Sequence, residues 1–369
     1  MGNADVASDR DRLPVRGLTR LGVVVPDLEE AMLGYAEILG IDQWALAEEQ
    51  SRISELVVDG LSARASWRSA YGSTPSGQVR FELIQPLEGL SAAQLFRARR
   101  GPGIMQLTFT AGSPQEGAAV AEFFARRGVP PLQRFVQDGQ HESVTYDTRE
   151  LLGGYLVNYL VPLAEKPVVR AGPDRICDVS QGYTRPPGQG PLDVPRLHHV
   201  GIVVGDVLTA VKQHASVYDI DTWNFINWRP EQGRLESPFY RGCAVHHEYL
   251  TGRAFNFCDF GFELIQPTFG PSHYKDDFLD LVGSGIHHLL IGFPDQEERW
   301  EQTMEWLDSA GVPLVMGSEM RGGSGRFYYL DSRERLGGYV IEASFPRPGR
   351  KVVGPINDFS INYATSTAT

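Results

Sequence analysis

The stretch RLHHVGIVVGDV, residues 196 to 207, repeats LTRLGVVVPDLE, residues 18 to 29, and the repetition runs on along the chain. With His199 laid on Arg20, an offset of 179 residues, Gly22 falls on Gly201, Asp27 on Asp206, Ile41-Asp42 on Ile220-Asp221 and Trp44 on Trp223. FELIQP occurs verbatim at 81 to 86 and at 262 to 267. GIMQLTFT (103 to 110) answers GIHHLLIG (285 to 292), and LLGGYLVNYLVP answers RLGGYVIEASFP. The offset grows only to 184, so the halves differ by a few loop residues. Repetition on this scale means one structural unit built twice, and it has to be read before any local pattern.

Each half divides again. Every quarter opens on a short apolar strand (RLGVVV, MQLTFT, HHVGIVV, HHLLIGF), and an amphipathic helix follows. Asp27 heads one such helix, carrying Leu28, Ala31, Met32, Tyr35 and Leu39. Ser113 heads another, which Gly128 ends. Further strand-like segments with Gly, Ser and Asp turns complete each quarter. The pattern predicts an α+β chain of four βαβββ modules, paired into two domains at 17–163 and 196–346. Around them lie an N-terminal extension (1–16), a Pro- and Gly-rich linker (164–195) and a C-terminal tail (347–369) expected to be irregular.

Composition narrows the function classes. A net charge of -12 and a pI near 5.3 argue against nucleic acid or an anionic membrane as partner, and RARR at 97 to 100 is short and isolated. The first residues lack the apolar core of a signal peptide, and no later run is long enough to span a bilayer. Cys177, Cys243 and Cys258 are odd in number and unpaired in spacing, so they read as reduced thiols. The expectation is a cytoplasmic protein, monomer or homodimer, acting on a small molecule. No Gly-rich phosphate loop follows a strand, so no organic cofactor is expected.

Paired βαβββ modules whose first strand reads HHVGIVV and whose last reads GGYVIEAS resemble the vicinal oxygen chelate superfamily, which includes glyoxalase I, methylmalonyl-CoA epimerase and the extradiol dioxygenases. The resemblance covers 17–163 and 196–346. It implies two glyoxalase-like, eight-stranded, open cup-shaped half-barrels, with a divalent metal held inside a cup by the first and last strands of each module. Carried over strand by strand, the ligand positions fall on His199, Glu263, His288 and Glu342 in the second half. In the first half they fall on Arg20, Glu82, Gln106 and Asn158. Imidazoles and carboxylates suit Zn, Ni, Co, Mn or Fe. A guanidinium cannot ligate and amides ligate weakly. The implied arrangement is one metal per chain, in the second cup. Residues 1 to 140 contain no histidine at all.

Single residues have plainer readings. A lone buried histidine is more often a packed core residue than a ligand, and it is the set of four that carries the expectation. Glu263 has a second reading as a structural salt-bridge or turn residue, because Glu82 sits in an identical FELIQP. Alternation along the strands predicts that His198 and His287 face away from the cup.

The resemblance implies two kinds of chemistry. A metal that chelates two substrate oxygens can stabilise an enolate while Glu342 or Glu263 takes the proton, which would make the protein an isomerase, epimerase or lyase. This reading is favoured. The alternative is Fe(II)-dependent extradiol ring cleavage on His199, His288 and Glu342, with Tyr329 or Tyr328 in the place of the tyrosine before the last ligand strand. Such enzymes carry an acid-base histidine where this chain has Glu263, and His246, His247 or His273 would have to substitute. A third reading is a non-catalytic small-molecule binder. Trp223, Tyr240 and Phe257 are expected in a pocket for a hydrophobic or aromatic substrate, and Arg326, Arg241 and Arg253 are candidates for an anionic group on it.

Overall fold

The protein is described from a computed structural model over residues 12–48, 52–164, 173–231, 234–291, 299–346, 349 and 357–363. Most of the expected N-terminal extension, and parts of the linker and tail, lie outside the described residues.

The first half runs β1 (Arg20–Val24), α1 (Leu28–Leu39), β2 (Gln43–Glu48), β3 (Ile53–Val58), β4 (Leu61–Ser62), β5 (Ala65–Ser73) and β6 (Arg80–Gly89). It continues through α2 (Ala92–Arg100), β7 (Gly103–Thr110), α3 (Pro114–Arg126), β8 (Pro131–Gln137), β9 (His141–Tyr146), α4 (Arg149–Leu152) and β10 (Leu156–Pro162). A linker strand, β11 (Arg175–Asp178), follows.

The second half repeats the plan with β12 (His199–Val203), α5 (Val207–Tyr218), β13 (Thr222–Trp228), β14 (Leu235–Tyr240), β15 (Cys243–Ala244), β16 (Glu248–Ala254) and β17 (Gly261–Phe269). A π-helical turn (Lys275–Leu279) and α6 (Asp280–Val282) lead into β18 (Gly285–Leu290), α7 (Trp300–Ser309), β19 (Leu314–Met320), β20 (Gly325–Leu330), α8 (Arg333–Leu336) and β21 (Val340–Pro346). The tail adds β22 (Phe359–Asn362).

The duplicated helices start alike. The Asp27 carboxylate accepts from Glu30 N at 2.9 Å, and Asp206 accepts from Leu208 N at 3.0 Å and Thr209 N at 3.1 Å. Each satisfies helix donors that have no partner inside the helix. At the far ends Gly40 (φ 72°) and Asp219 (φ 55°) take the same left-handed turn.

Each half forms one sheet, in the order β11-β2-β5-β6-β1-β7-β10-β9-β8-β3-β4 and β15-β14-β19-β20-β21-β18-β12-β17-β16-β13-β22. Eleven strands replace the expected eight. The additions include a two-residue strand at one edge, β4 or β15, and at the other a strand from outside the modules. The linker's β11 pairs with β2 and the tail's β22 pairs with β13, so neither segment is wholly irregular.

Burial separates the two faces of each sheet. Val200 and Ile202 of β12 join a core cluster that runs through both halves, whereas Val203 joins a second cluster with Trp228, Tyr249, Tyr274 and Tyr329 inside the second cup. The first cup has its own filling of Trp67, Phe96, Met105 and neighbours. The shared core is sewn together by buried polar contacts: Tyr155 Oη lies 2.9 Å from Tyr218 Oη and 3.2 Å from His214 Nε2, and Tyr35 Oη donates to Leu336 O at 3.0 Å.

Candidate metal centre

Four strands deliver four side chains to one point. β12 contributes His199, β17 Glu263, β18 His288 and β21 Glu342, all buried, and a ligand atom from each lies within 4.8 Å of the others. The set is uneven. His199 Nε2 and His288 Nε2 are 3.3 Å apart, and each lies 3.1 Å from Glu342 Oε2. Glu263 Oε2 stands further off, at 3.5 Å from His199 Nε2 and 3.7 Å from His288 Nε2.

Register explains the convergence. On β12 and β17 the cup-facing residues alternate, giving His199, Gly201 and Val203 on one strand and Glu263 and Ile265 on the next. On β18 the alternation breaks, because Gly201 pairs with His288 while Ile202 pairs with Ile286, leaving His287 as the extra residue of a β-bulge. His287 therefore does not face away as alternation predicted. It lies fully buried against Tyr274, Phe278 and Tyr329 on the cup side.

The bulge builds a histidine chain. His288 Nδ1 is 3.0 Å from His287 Nδ1, and His287 Nε2 is 2.7 Å from His273 Nδ1. On the other side His199 Nδ1 is 2.9 Å from His198 Nδ1. If each Nε2 is kept for a cation, each Nδ1–H donates to its neighbouring histidine, which fixes ring orientation as outer partners of metal-binding histidines do.

Electrostatics separate the two carboxylates. Burial opposes ionisation of Glu342, but hydrogen bonds from His199 and His288 outweigh it and hold its carboxyl well below the usual range. Burial raises Glu263, His199 lowers it, and the adjacent charge of Glu342 adds to the rise. Two buried carboxylates beside two imidazoles make a negative, oxygen- and nitrogen-rich nest that fits a divalent cation.

The first cup is an internal control. Arg20 Nε lies 2.6 Å from Glu82 Oε2, so a guanidinium sits with the FELIQP glutamate as counter-charge. Tyr71 Oη donates to Glu82 at 3.2 Å, and Ser143 and Thr145 both donate to Asn158 Oδ1 at 3.0 Å. The space left over is a cavity of about 30 Å³. In the second cup the same glutamate faces imidazoles.

The other expected residues divide by face. Tyr329 is fully buried in the cup, its ring 5.0 Å from that of His288, and its hydroxyl accepts from Tyr274 at 2.7 Å. Tyr240 joins the cup cluster and donates to Asp277 Oδ2 at 2.7 Å. Trp223 and Phe257 do not line the cup, because β13 turns Trp223 toward α5 and Phe257 packs on Tyr218 in the shared core. Arg326 also misses it. It precedes the inward Phe327 and lies over Tyr328 and Phe345 on the outer face. Arg241 pairs with Asp277. Of the three spare histidines only His246 is exposed, beside Glu231 and Glu248. His247 and His273 are buried, so they are not surface residues.

No helix among the described residues is long and apolar enough to cross a membrane. Cys177, Cys243 and Cys258 are free thiols.

No family model matches the chain, and no curated protein sequence does. Solved structures do. A mutant of 4-hydroxymandelate synthase from Streptomyces coelicolor superposes with a TM-score of 0.55 at 16% identity, covering 92% of this chain and 95% of that one. A xylose isomerase-like TIM barrel/4-hydroxyphenylpyruvate dioxygenase fusion protein gives 0.49 at 13% identity, over 96% of this chain and 53% of the other. BphC, a halotolerant catechol dioxygenase, gives 0.42 at 11%, over 93% and 90%. At these identities the likeness is one of fold, shared with the 4-hydroxymandelate synthase structure over nearly the whole of both chains.

Proposed function

We propose that the chain is a metal-dependent oxygenase of the vicinal oxygen chelate type, holding one divalent iron on His199, His288 and Glu342 and acting on a small aromatic substrate with two adjacent oxygens. The observation that carries this is the inequality within the site: three groups close at 3.1–3.3 Å while Glu263 stands back at 3.5–3.7 Å. Two histidines and one carboxylate on one side of an ion, with the opposite side open, is the donor set of non-haem Fe(II) oxygenases. Bound there, iron would chelate the substrate oxygens and activate O2.

The chain's residues have separable tasks. His198 and His287 hold the ligand imidazoles, and the fully buried Tyr329 places a hydroxyl and a ring edge beside His288. Burial keeps the Tyr329 hydroxyl protonated well above its ordinary range, leaving it a hydrogen-bond donor. Glu263, disposed by burial to hold a proton, stands back from the three closer groups and has no assigned step in this reading.

A second reading, proton transfer without O2 as in an isomerase or lyase, draws on that same glutamate: as a fourth ligand able to leave, it would be the base. The sequence favoured this reading, and the stand-off of Glu263 reverses the order. The test is anaerobic purification, loading with Fe(II), and measurement of O2 uptake with catechols. Stoichiometric O2 consumption with both atoms in a ring-opened product supports the oxygenase. Proton exchange into heavy water without O2 uptake would replace it with the isomerase reading.

A further inference from the structure

Arginines from three separate segments meet in the second cup. Arg253 on β16 stands opposite Glu263 in the β16–β17 register, with its guanidinium 6.0 Å from the centre of the Trp228 ring and 5.4 Å from that of Phe255. Arg321, just past β19, lies 6.0 Å from the same Trp228 ring. Arg234, just before β14, is only 2% exposed. Trp228 belongs to the cup cluster, so the group lies on the metal side of the sheet.

Two of these arginines carry donors that the described residues leave unmatched. Burial and then the neighbouring guanidiniums pull Arg321 below its ordinary range. Burial does the same to Arg253, against the charge of Glu263 and with the help of Arg234. Asp358, beside β22, bonds Arg234 at 2.6 Å, but the same carboxylate also accepts from Asn227 N at 2.7 Å. Arg253 bonds the neutral Asn357 Oδ1 at 3.0 Å. Arg253 Nε and Arg234 Nη1 are buried without a hydrogen-bond partner among the described residues, and a buried charged donor left unmatched is costly. Glu263 and Glu342 act on Arg253, and a divalent ion held beside them would offset that attraction.

We infer that Arg253, Arg234 and Arg321 form the subsite for an anionic group, a carboxylate or its equivalent, at the end of the substrate away from its chelating oxygens. The planar forks of arginine suit a two-oxygen anion, and Trp228 offers a flat face beside it. The inference deepens the metal-centre reading and rests on it for the substrate's other end.

The test compares three ligands on the zinc-loaded full-length protein by calorimetry: 3,4-dihydroxyphenylacetate, 4-methylcatechol and phenylacetate. The wild type is expected to bind dihydroxyphenylacetate at least 10-fold more tightly than methylcatechol. In Arg253→Met, and separately in Arg321→Gln, that preference should fall to within 3-fold while methylcatechol affinity holds, with folding checked by thermal unfolding. Equal affinities in the wild type, or a preference that survives both variants, would overturn the subsite. Phenylacetate binding that depends on Arg253 while neither catechol gains from zinc would keep the subsite and sink the chelation reading. Failure of all three ligands to bind would sink both.

Discussion

The imidazole of His288 lies across the α-carbon of Gly201, so close that a β-carbon there would overlap three of its ring atoms. The glycine is therefore part of the site although it offers no ligand. Gly201→Ala should displace the ring and weaken metal binding by about 10–100-fold, as disturbances of ligand support do, with the sheet intact. Metal titration followed by circular dichroism would show it, and unchanged affinity would separate Gly201 from the site.

Removing a ligand outright should do more. His199→Ala or His288→Ala is expected to abolish metal retention, a loss beyond about 100-fold that exceeds what a change outside the coordination sphere causes. Strand pairing does not depend on either imidazole, so the variants should fold. Elemental analysis beside a thermal melt separates this outcome from a collapsed core.

Arg20 predicts the opposite pattern. Its side chain and that of Glu82 are 14% and 9% exposed, and breaking a buried pair strands one charge. Arg20→Leu should cost about 3 kcal/mol of stability and leave metal at about one per chain. Loss of metal in this variant would move the centre to the wrong half.

Glu263→Gln discriminates between chemistries. A three-ligand oxygenase should keep its rate within about an order of magnitude, whereas an enzyme using Glu263 as base should lose about 10²–10⁴-fold. Steady-state rates under saturating metal decide it.

Stability should fall in mild acid through His214, which is fully buried between the halves. Burial lowers its pKa from the ordinary 6.5 to about 4, against a bond from its Nδ1 to Ala210 O at 2.8 Å. Between those values the unfolded chain binds a proton that the folded chain refuses. The stability is thus complete above pH 6.5 and is lost as pH falls toward 4, by up to about 3 kcal/mol. Urea midpoints at pH 7 and 4.5 should differ less for His214→Gln than for the wild type.

The duplication was legible because strands and helix caps are written locally: Asp27 and Asp206 head their helices where the repeat places them. The set His199, Glu263, His288 and Glu342 was expected only through the family resemblance, strand by strand, and the structure brings the four side chains together. What could not be read was the bulge at His287, since one inserted residue in a pairing leaves no mark on a single strand. The face of Trp223 and Arg326 was also hidden, because aromatic and arginine side chains occupy both sides of these sheets. Arg234 had no motif to announce it; the tail residue Asp358 brings it to the cup from 124 positions away.

The two strands outside the modules also belong to the duplication. β11 and β22 sit on the equivalent strands β2 and β13, and their positions, 175–178 and 359–362, differ by the same 184 residues as the last strands of the two halves. What reads as linker in one place and as tail in the other is one inherited seal. Each half arrives with its longer edge strand covered by a four-residue strand and a two-residue strand at the other end, so both exposed edges are short, a shape that discourages copies from joining edge to edge. A cell making this chain in quantity would meet few sticky ends, and an experimenter trimming the tail before Phe359 would expose one.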